Sequence, residues 1–132
     1  MRKTFKFDKL IRDKIYKKMV DAGIDVQLKK ISDEVLLDYF KAKMLEEATE
    51  VVDAESKDEL IEELADCLEV IHGFSKILNI SFEKIDQIRK AKEEEKGGFS
   101  NLIAESVSFE PTEKLKPFYD YYVKNPKKYP EL

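Results

Sequence analysis

Five acidic residues in two short runs are the part of this 132-residue chain best suited to chemistry. Glu46, Glu47 and Glu50 lie in the run LEEATE, and Glu63 and Asp66 lie in EELAD. Glu47 and Glu50 are three residues apart, as are Glu63 and Asp66, so on helices each pair shares a face with about 4.5 Å of rise between its members. Carboxylates held together in a half-buried groove repel one another and lose hydration, which raises their pKa values. A divalent cation resolves that conflict. Hard oxygen ligands without clustered His or Cys favour Mg²⁺, with Mn²⁺ as the alternative, over Zn²⁺. The competing reading is a buried salt-bridge network, in which Lys or Arg from the basic N-terminal segment neutralises the same acids.

A Mg²⁺ ion held by several carboxylates commonly serves to meet a phosphate chain. Arg89, Lys92 and Lys96 follow an i, i+3, i+7 pattern and run into Gly97, Gly98 and Phe99. The three cations would share a helix face, the glycines would permit close approach of a ligand, and Phe99 could stack on a base. Taken singly, these features also read as solvated helix surface and a helix stop. His72, the only histidine, cannot make a histidine metal site and reads as structural, while Cys67 reads as a small hydrophobe.

The elements that must position these groups are legible from punctuation. Leu10, Ile11, Ile15 and Met19 predict a helix over 8–22, stopped by Gly23. Residues 24–31 alternate apolar and polar and read as extended, in the manner of a short edge strand. Ser32 is placed to cap a helix over about 33–54, with Leu37, Phe40, Met44, Ala48 and Val51 on its apolar stripe. Ser56 and Glu59 form a capping box for a third helix, about 57–79, and Ser81 caps a fourth, about 82–95. The short link near 54–57 makes the second and third helices an antiparallel hairpin. With the turn between Ser56 and Lys57, Glu50 faces Glu63 and Glu47 faces Asp66. The same register sets Leu45 against Leu68, Ala48 against Ala65 and Val52 against Ile61 as an apolar seam. On the helical wheel Glu47 nonetheless sits beside Phe40 and Val51, Glu63 and Asp66 share an arc with Val70 and Ile77, and Glu46 points more to solvent.

The acidic runs and their surroundings resemble a known family. E-E-A-T-E at 46–50 and E-L-A-D at 63–66 match the E-E-x-x-E and E-x-x-D signature of the all-α nucleoside triphosphate pyrophosphatases (MazG-like), with a 12-residue spacer that is short for the pattern. KLIRDKI at 9–15 and KGGF at 96–99 are similar to the K-L-V-R-D-K-I and R-G-G-F elements of the phosphoribosyl-ATP pyrophosphatase-like, house-cleaning branch. The resemblance covers about residues 8–103. It implies Mg²⁺-dependent cleavage of a nucleoside triphosphate between the α and β phosphates, with Glu47, Glu50, Glu63 and Asp66 as metal ligands and Glu46 orienting water. It also implies phosphate contacts from Lys9, Arg12, Lys14, Arg89, Lys92 and Lys96, and homodimers or dimers of dimers in which paired hairpins form a four-helix bundle. Tyr16 replaces the usual Pro, Lys96 the usual Arg and Cys67 a frequent Val. Lys96 would therefore meet phosphate as a point charge rather than a fork.

Composition bounds the remaining choices. Charged residues make up 39 % of the chain and Gly and Pro number four each, which fits long helices better than a sandwich or barrel. The expected fold is all-α, with an all-α domain over 1–104 and a Pro- and Tyr-rich extension over 105–132. That extension, which holds all four prolines and four of six tyrosines, reads as an ordered strap or as a partner-binding arm. A single cysteine, no long apolar run and no signal-peptide pattern lead to the expectation of a soluble cytoplasmic protein without membrane contact. The net charge of −4 hides segregation: residues 1–30 carry a net +6 and residues 33–69 a net −11. A nucleic-acid arm in the basic segment is disfavoured because the acidic hairpin matches it. Two alternatives to the pyrophosphohydrolase stand beside it. One is phosphoribosyl-ATP pyrophosphatase; the other is a non-catalytic helical dimer binding partners through its acidic hairpin or aromatic tail.

Overall fold

The computed structural model describes all of residues 1–132. It is all-helical: α1 (Asp13–Asp21), α2 (Asp33–Asp53), α3 (Lys57–Ile77), α4 (Phe82–Lys96) and α5 (Lys116–Lys124). The chain forms two compact units, Met1–Lys96 and Gly97–Leu132, so the boundary expected after residue 104 falls inside the second unit.

Side-chain caps delimit the long helices. Ser32 Oγ accepts from the Val35 amide at 3.3 Å, and Ser56 Oγ accepts from the Glu59 amide at 3.1 Å. The Glu59 carboxylate accepts in turn from the Glu55 amide at 3.3 Å, one residue before the expected reciprocal partner. Ser81 Oγ accepts from the Lys84 amide at 3.1 Å at the start of α4. Asp33 and Glu34, and then Asp58 and Glu59, sit in first turns where the helix dipole favours negative charge.

Two local expectations change. The first helix begins at Asp13 rather than at residue 8: Arg12 is extended, with a ψ of 140°, and Asp8 has a φ of +42°, outside the helical range. Asp8 is held there by Tyr39, whose hydroxyl donates to it at 2.6 Å, and by Lys29 at 3.6 Å. The Tyr39 hydrogen bond, ahead of the Lys29 and Lys6 charges, keeps the Asp8 carboxyl below its usual range. Residues 24–31 form no strand; alternation alone supplies no ladder partner, and every other regular element in the fold is helical.

The hairpin of α2 and α3 is the packing centre of the first unit. Its inward stripes are Leu37, Phe40, Met44, Glu47 and Val51 on α2, and Glu63, Cys67, Val70, Phe74 and Ile77 on α3, all buried or half-buried. Steps of three and four residues keep each stripe on one face. Phe40 and Phe74 meet with ring centroids 5.6 Å apart, and Phe40 occupies the space that a side chain at Gly73 would need. The expected apolar seam lies elsewhere: Leu45, Ala48, Val52, Ile61, Ala65 and Leu68 are all exposed. The inward face is rotated from the expected one, and Glu47 takes the core position expected of Ala48. Val70, 5 % exposed, is the only buried apolar residue, so this unit alone has very little core.

The second unit is organised by aromatic contacts around α5, with Pro117 in its first turn. Phe109 packs edge-on against Tyr119 and Tyr122, at centroid distances of 6.0 and 5.9 Å, and Tyr122 meets Tyr129 at 4.7 Å. This ordering of the Pro- and Tyr-rich segment includes a helix that its proline spacing did not suggest.

Candidate metal centre

Every acid of the four-membered set comes from the half of the hairpin nearer its turn, where α2 and α3 run side by side. Glu47, Glu50, Glu63 and Asp66 each offer a carboxylate oxygen, and these atoms all lie within 4.8 Å of one another. Two of the four face inward because they occupy stripe positions between apolar residues. Glu47 is only 7 % exposed, between the Met44 and Val51 turns of α2. Its Oε2 and that of Glu63 are buried with no hydrogen-bond partner. A buried orphan oxygen is costly, and two in one place call for a positive partner.

The electrostatics express the same conflict. Glu63 is pushed up to about 7, chiefly because the Glu50 carboxylate lies within hydrogen-bonding reach, with desolvation and the charges of Glu50, Asp66 and Glu47 adding to it. Such a contact between two acids needs a proton between their oxygens. Glu47 is also raised, first by burial, then by contact with Glu50 and the charges of Glu50 and Asp66, against the opposing charge of Lys43. Burial, followed by the same carboxylates, raises the half-buried Cys67 thiol, which leaves it protonated and unreactive at neutral pH.

Positive charge reaches this cluster only at Asp66 and Glu47. Arg12 Nη2 is 3.2 Å from Asp66 Oδ1, and Lys43 Nζ is 3.8 Å from Glu47 Oε1. Glu46 lies beside the cluster rather than in it. It is half-buried instead of turned to solvent, receiving Lys9 at 2.9 Å and Lys43 at 3.5 Å. The Lys9 hydrogen bond, with help from Lys43, holds Glu46 below its usual pKa. The basic N-terminal segment therefore does neutralise acids of the hairpin, as the salt-bridge reading anticipates, but it leaves Glu50 and Glu63 without a cation. Lys43 escaped the sequence reading, although its i+3 and i+4 spacing to Glu46 and Glu47 was visible there.

The remaining candidates are placed differently. Lys14 lines an open groove of about 400 Å³ with Arg12, Asp13, Ile15 and Glu69, and makes no ion pair. Arg89 is engaged within α4 by Asp86 at 2.7 Å and Glu93 at 2.8 Å. Lys92 and Lys96 are exposed on the same helix and make no ion pair or hydrogen bond with the carboxylates. Phe99 belongs to the second unit and is fully exposed. His72 is exposed and stacks on Phe82 at 4.2 Å, a structural contact on the outer side of α3.

Fold and site together define a class: an all-α chain built on a long helical hairpin that holds four converging carboxylates. No family model, no curated protein and no solved structure matches the chain.

Proposed function

We propose that this protein is a Mg²⁺-dependent nucleoside triphosphate pyrophosphohydrolase, converting an NTP or dNTP, non-standard ones included, to the monophosphate and pyrophosphate. The observation that carries the reading is the convergence of Glu47, Glu50, Glu63 and Asp66 with two buried, unpartnered oxygens. This donor set fits Mg²⁺ or Mn²⁺: it is all carboxylate oxygen, drawn from two helices, and short of positive charge. A bound divalent ion would supply Lewis-acid polarisation of phosphoryl oxygens and activation of a water. The chain's own groups do the rest. Glu47 and Glu63 present inward oxygens from rigid helices, Glu46 is held ionised by Lys9 and Lys43 beside them, and the exposed cations of the N-terminal segment offer charge to a polyphosphate. No nucleophilic side chain is required, because water can attack the phosphorus directly.

The purified chain with Mg²⁺ is expected to release pyrophosphate rather than orthophosphate from at least one nucleotide in a screen of ordinary and damaged nucleotides. Including phosphoribosyl-ATP in that screen separates the neighbouring activity, which the KLIRDKI opening argues against. Absence of both turnover and calorimetric metal binding would remove the proposal.

A homodimer belongs to the same reading. Leu45 and Val52 on α2, at 71 % and 82 % exposed, and Ile61, Leu64 and Leu68 on α3 repeat at three-, four- and seven-residue steps on the solvent side of the hairpin. A second hairpin laid against this face would complete a four-helix bundle and supply the core that one copy lacks. Leu68→Asp is expected to shift the protein to monomer in sedimentation velocity, with loss of thermal stability. A Leu68→Asp protein of unchanged mass and melting temperature would count against the bundle. A non-catalytic helical dimer draws on the same exposed stripe, and metal binding by the hairpin separates the two.

A further inference from the structure

We propose that Arg12 is an exchangeable counter-ion of the carboxylate cluster: it occupies Asp66 when no divalent cation is present and is released from it when one binds. The inference rests on reading the cluster as a divalent-cation site and concerns the regulation of that site. The cluster has two resident cations of unlike character. Lys43 sits one turn from Glu47 on the same helix, with a side chain only 22 % exposed, and it is shared with Glu46. It is built in. Arg12 comes from the segment preceding α1, its side chain is 57 % exposed, and its contact with Asp66 is a single 3.2 Å hydrogen bond rather than a two-pronged pair. An exposed pair of that kind is weak and readily broken. Arg12 also borders the open groove of about 400 Å³ that it lines with Lys14 and Glu69, so its guanidinium has a solvated space to enter.

Competition follows from the donor atoms. Asp66 offers one of the four oxygens gathered within 4.8 Å, and that carboxylate is the one Arg12 holds. The orphan oxygens of Glu47 and Glu63 lie deeper and have no cation to surrender. A divalent ion that collects all four acids must therefore compete with Arg12 at Asp66 and with Lys43 at Glu47. The ion adds two positive charges at a place where Arg12 supplied one, so the guanidinium is repelled once its carboxylate is shared. Released at the mouth of the site, it becomes an unpaired planar donor suited to phosphate oxygens. Metal loading would thus arm the anion-binding group, and the metal-free protein would keep that group neutralised.

Calorimetric titration of the full chain with MgCl₂, and separately MnCl₂, tests this at an ionic strength near 0.15 M, where distant exposed charges are largely screened. Arg12→Gln is expected to bind either ion about two- to fivefold more tightly than wild type, the range set by an exposed ion pair. Lys14→Gln removes the same charge without touching Asp66, and is expected to change affinity by less than about 1.5-fold. Should Arg12→Gln fold poorly, nitrogen-detected NMR of the wild-type Arg12 guanidinium gives the same answer: its resonances should move to the position of a free arginine on saturation with Mg²⁺. Unchanged or weaker binding by Arg12→Gln, equal tightening by Lys14→Gln, or an unmoved guanidinium signal overturns the counter-ion role while Glu50→Gln still loses metal. A wild-type protein that takes up neither ion removes the metal reading itself, and the exchange with it.

Discussion

Glu50→Gln is expected to lower pyrophosphate release by at least about 10²-fold, the scale of losing one preorganised charge at a reaction centre, while the metal-free protein becomes more heat-stable. Both effects come from the same geometry. Glu50 is the member of the cluster that touches both of its raised neighbours, Glu47 and Glu63. Glutamine keeps its shape and can donate a hydrogen bond to either acid, so the repulsion disappears without opening a cavity. The helices should be unaffected, since Glu50 is exposed and the inward stripe of Leu37, Phe40, Met44 and Val51 is untouched. Metal affinity and turnover should fall together, and the Glu63 carboxyl should titrate closer to its ordinary value of 4.5. Glu63→Gln is expected to behave alike, because it removes the other half of the same contact. Full activity with unaltered metal binding in both variants would make the acids a structural feature only. A fall in activity accompanied by a lower melting temperature would instead point to damage of the hairpin.

The second large effect is a dependence of thermal stability on pH whose direction metal should alter. Glu63 sits near 7 in the folded protein against an ordinary 4.5, and Glu47 is raised from the same ordinary value. Between 4.5 and 7 the folded chain therefore binds more protons at these groups than the unfolded chain does. Their contribution to stability is complete below 4.5 and is lost as the pH rises through about 7. Asp8, Glu46 and Asp86 act oppositely. Hydrogen bonds from Tyr39, Lys9 and Arg89, respectively, lower their pKa values, so their contribution is lost on acidification below their ordinary 3.8 to 4.5. Melting temperature without metal should therefore peak near pH 5 and decline toward pH 8. Saturating Mg²⁺ should leave the value at pH 5 nearly unchanged and raise the value at pH 8, because protons and metal compete for the same oxygens. A metal-free profile that rises steadily from pH 5 to 8 would contradict the raised carboxyls. Identical profiles with and without Mg²⁺ would contradict the cation site.

Much of this was legible in the sequence because it depends on local periodicity. Ser32, Ser56 and Ser81 mark three helix starts that the structure realises with side-chain caps. The three-residue spacing of Glu47 with Glu50 and of Glu63 with Asp66, together with a short turn, placed four acids at matching heights on adjacent helices. The same numbers did not say which face turns inward, since that is set by how α2 and α3 rotate about their own axes. Leu45, Val52, Ile61 and Leu68 looked like an internal seam and are instead the exposed face. Residues 8–12 looked helical because their apolar spacing is helical. The extended Arg12 at the helix start and the left-handed Asp8, the latter tied to Tyr39 and Lys29 more than twenty residues away in the chain, break that pattern.

What the sequence determined by itself was the helical class, the hairpin and the rungs of carboxylates, because caps, turns and i, i+3 spacing act over a few residues. Tertiary structure alone decided that Glu47 and Glu63 each bury an oxygen without a partner, that Lys43 and Arg12 reach only Glu47 and Asp66 within the cluster, and that Arg89 is engaged within α4. Those outcomes depend on helix rotation and on where a distant segment comes to rest. Desolvation and charge pairing act through space, and no spacing along the chain reports them.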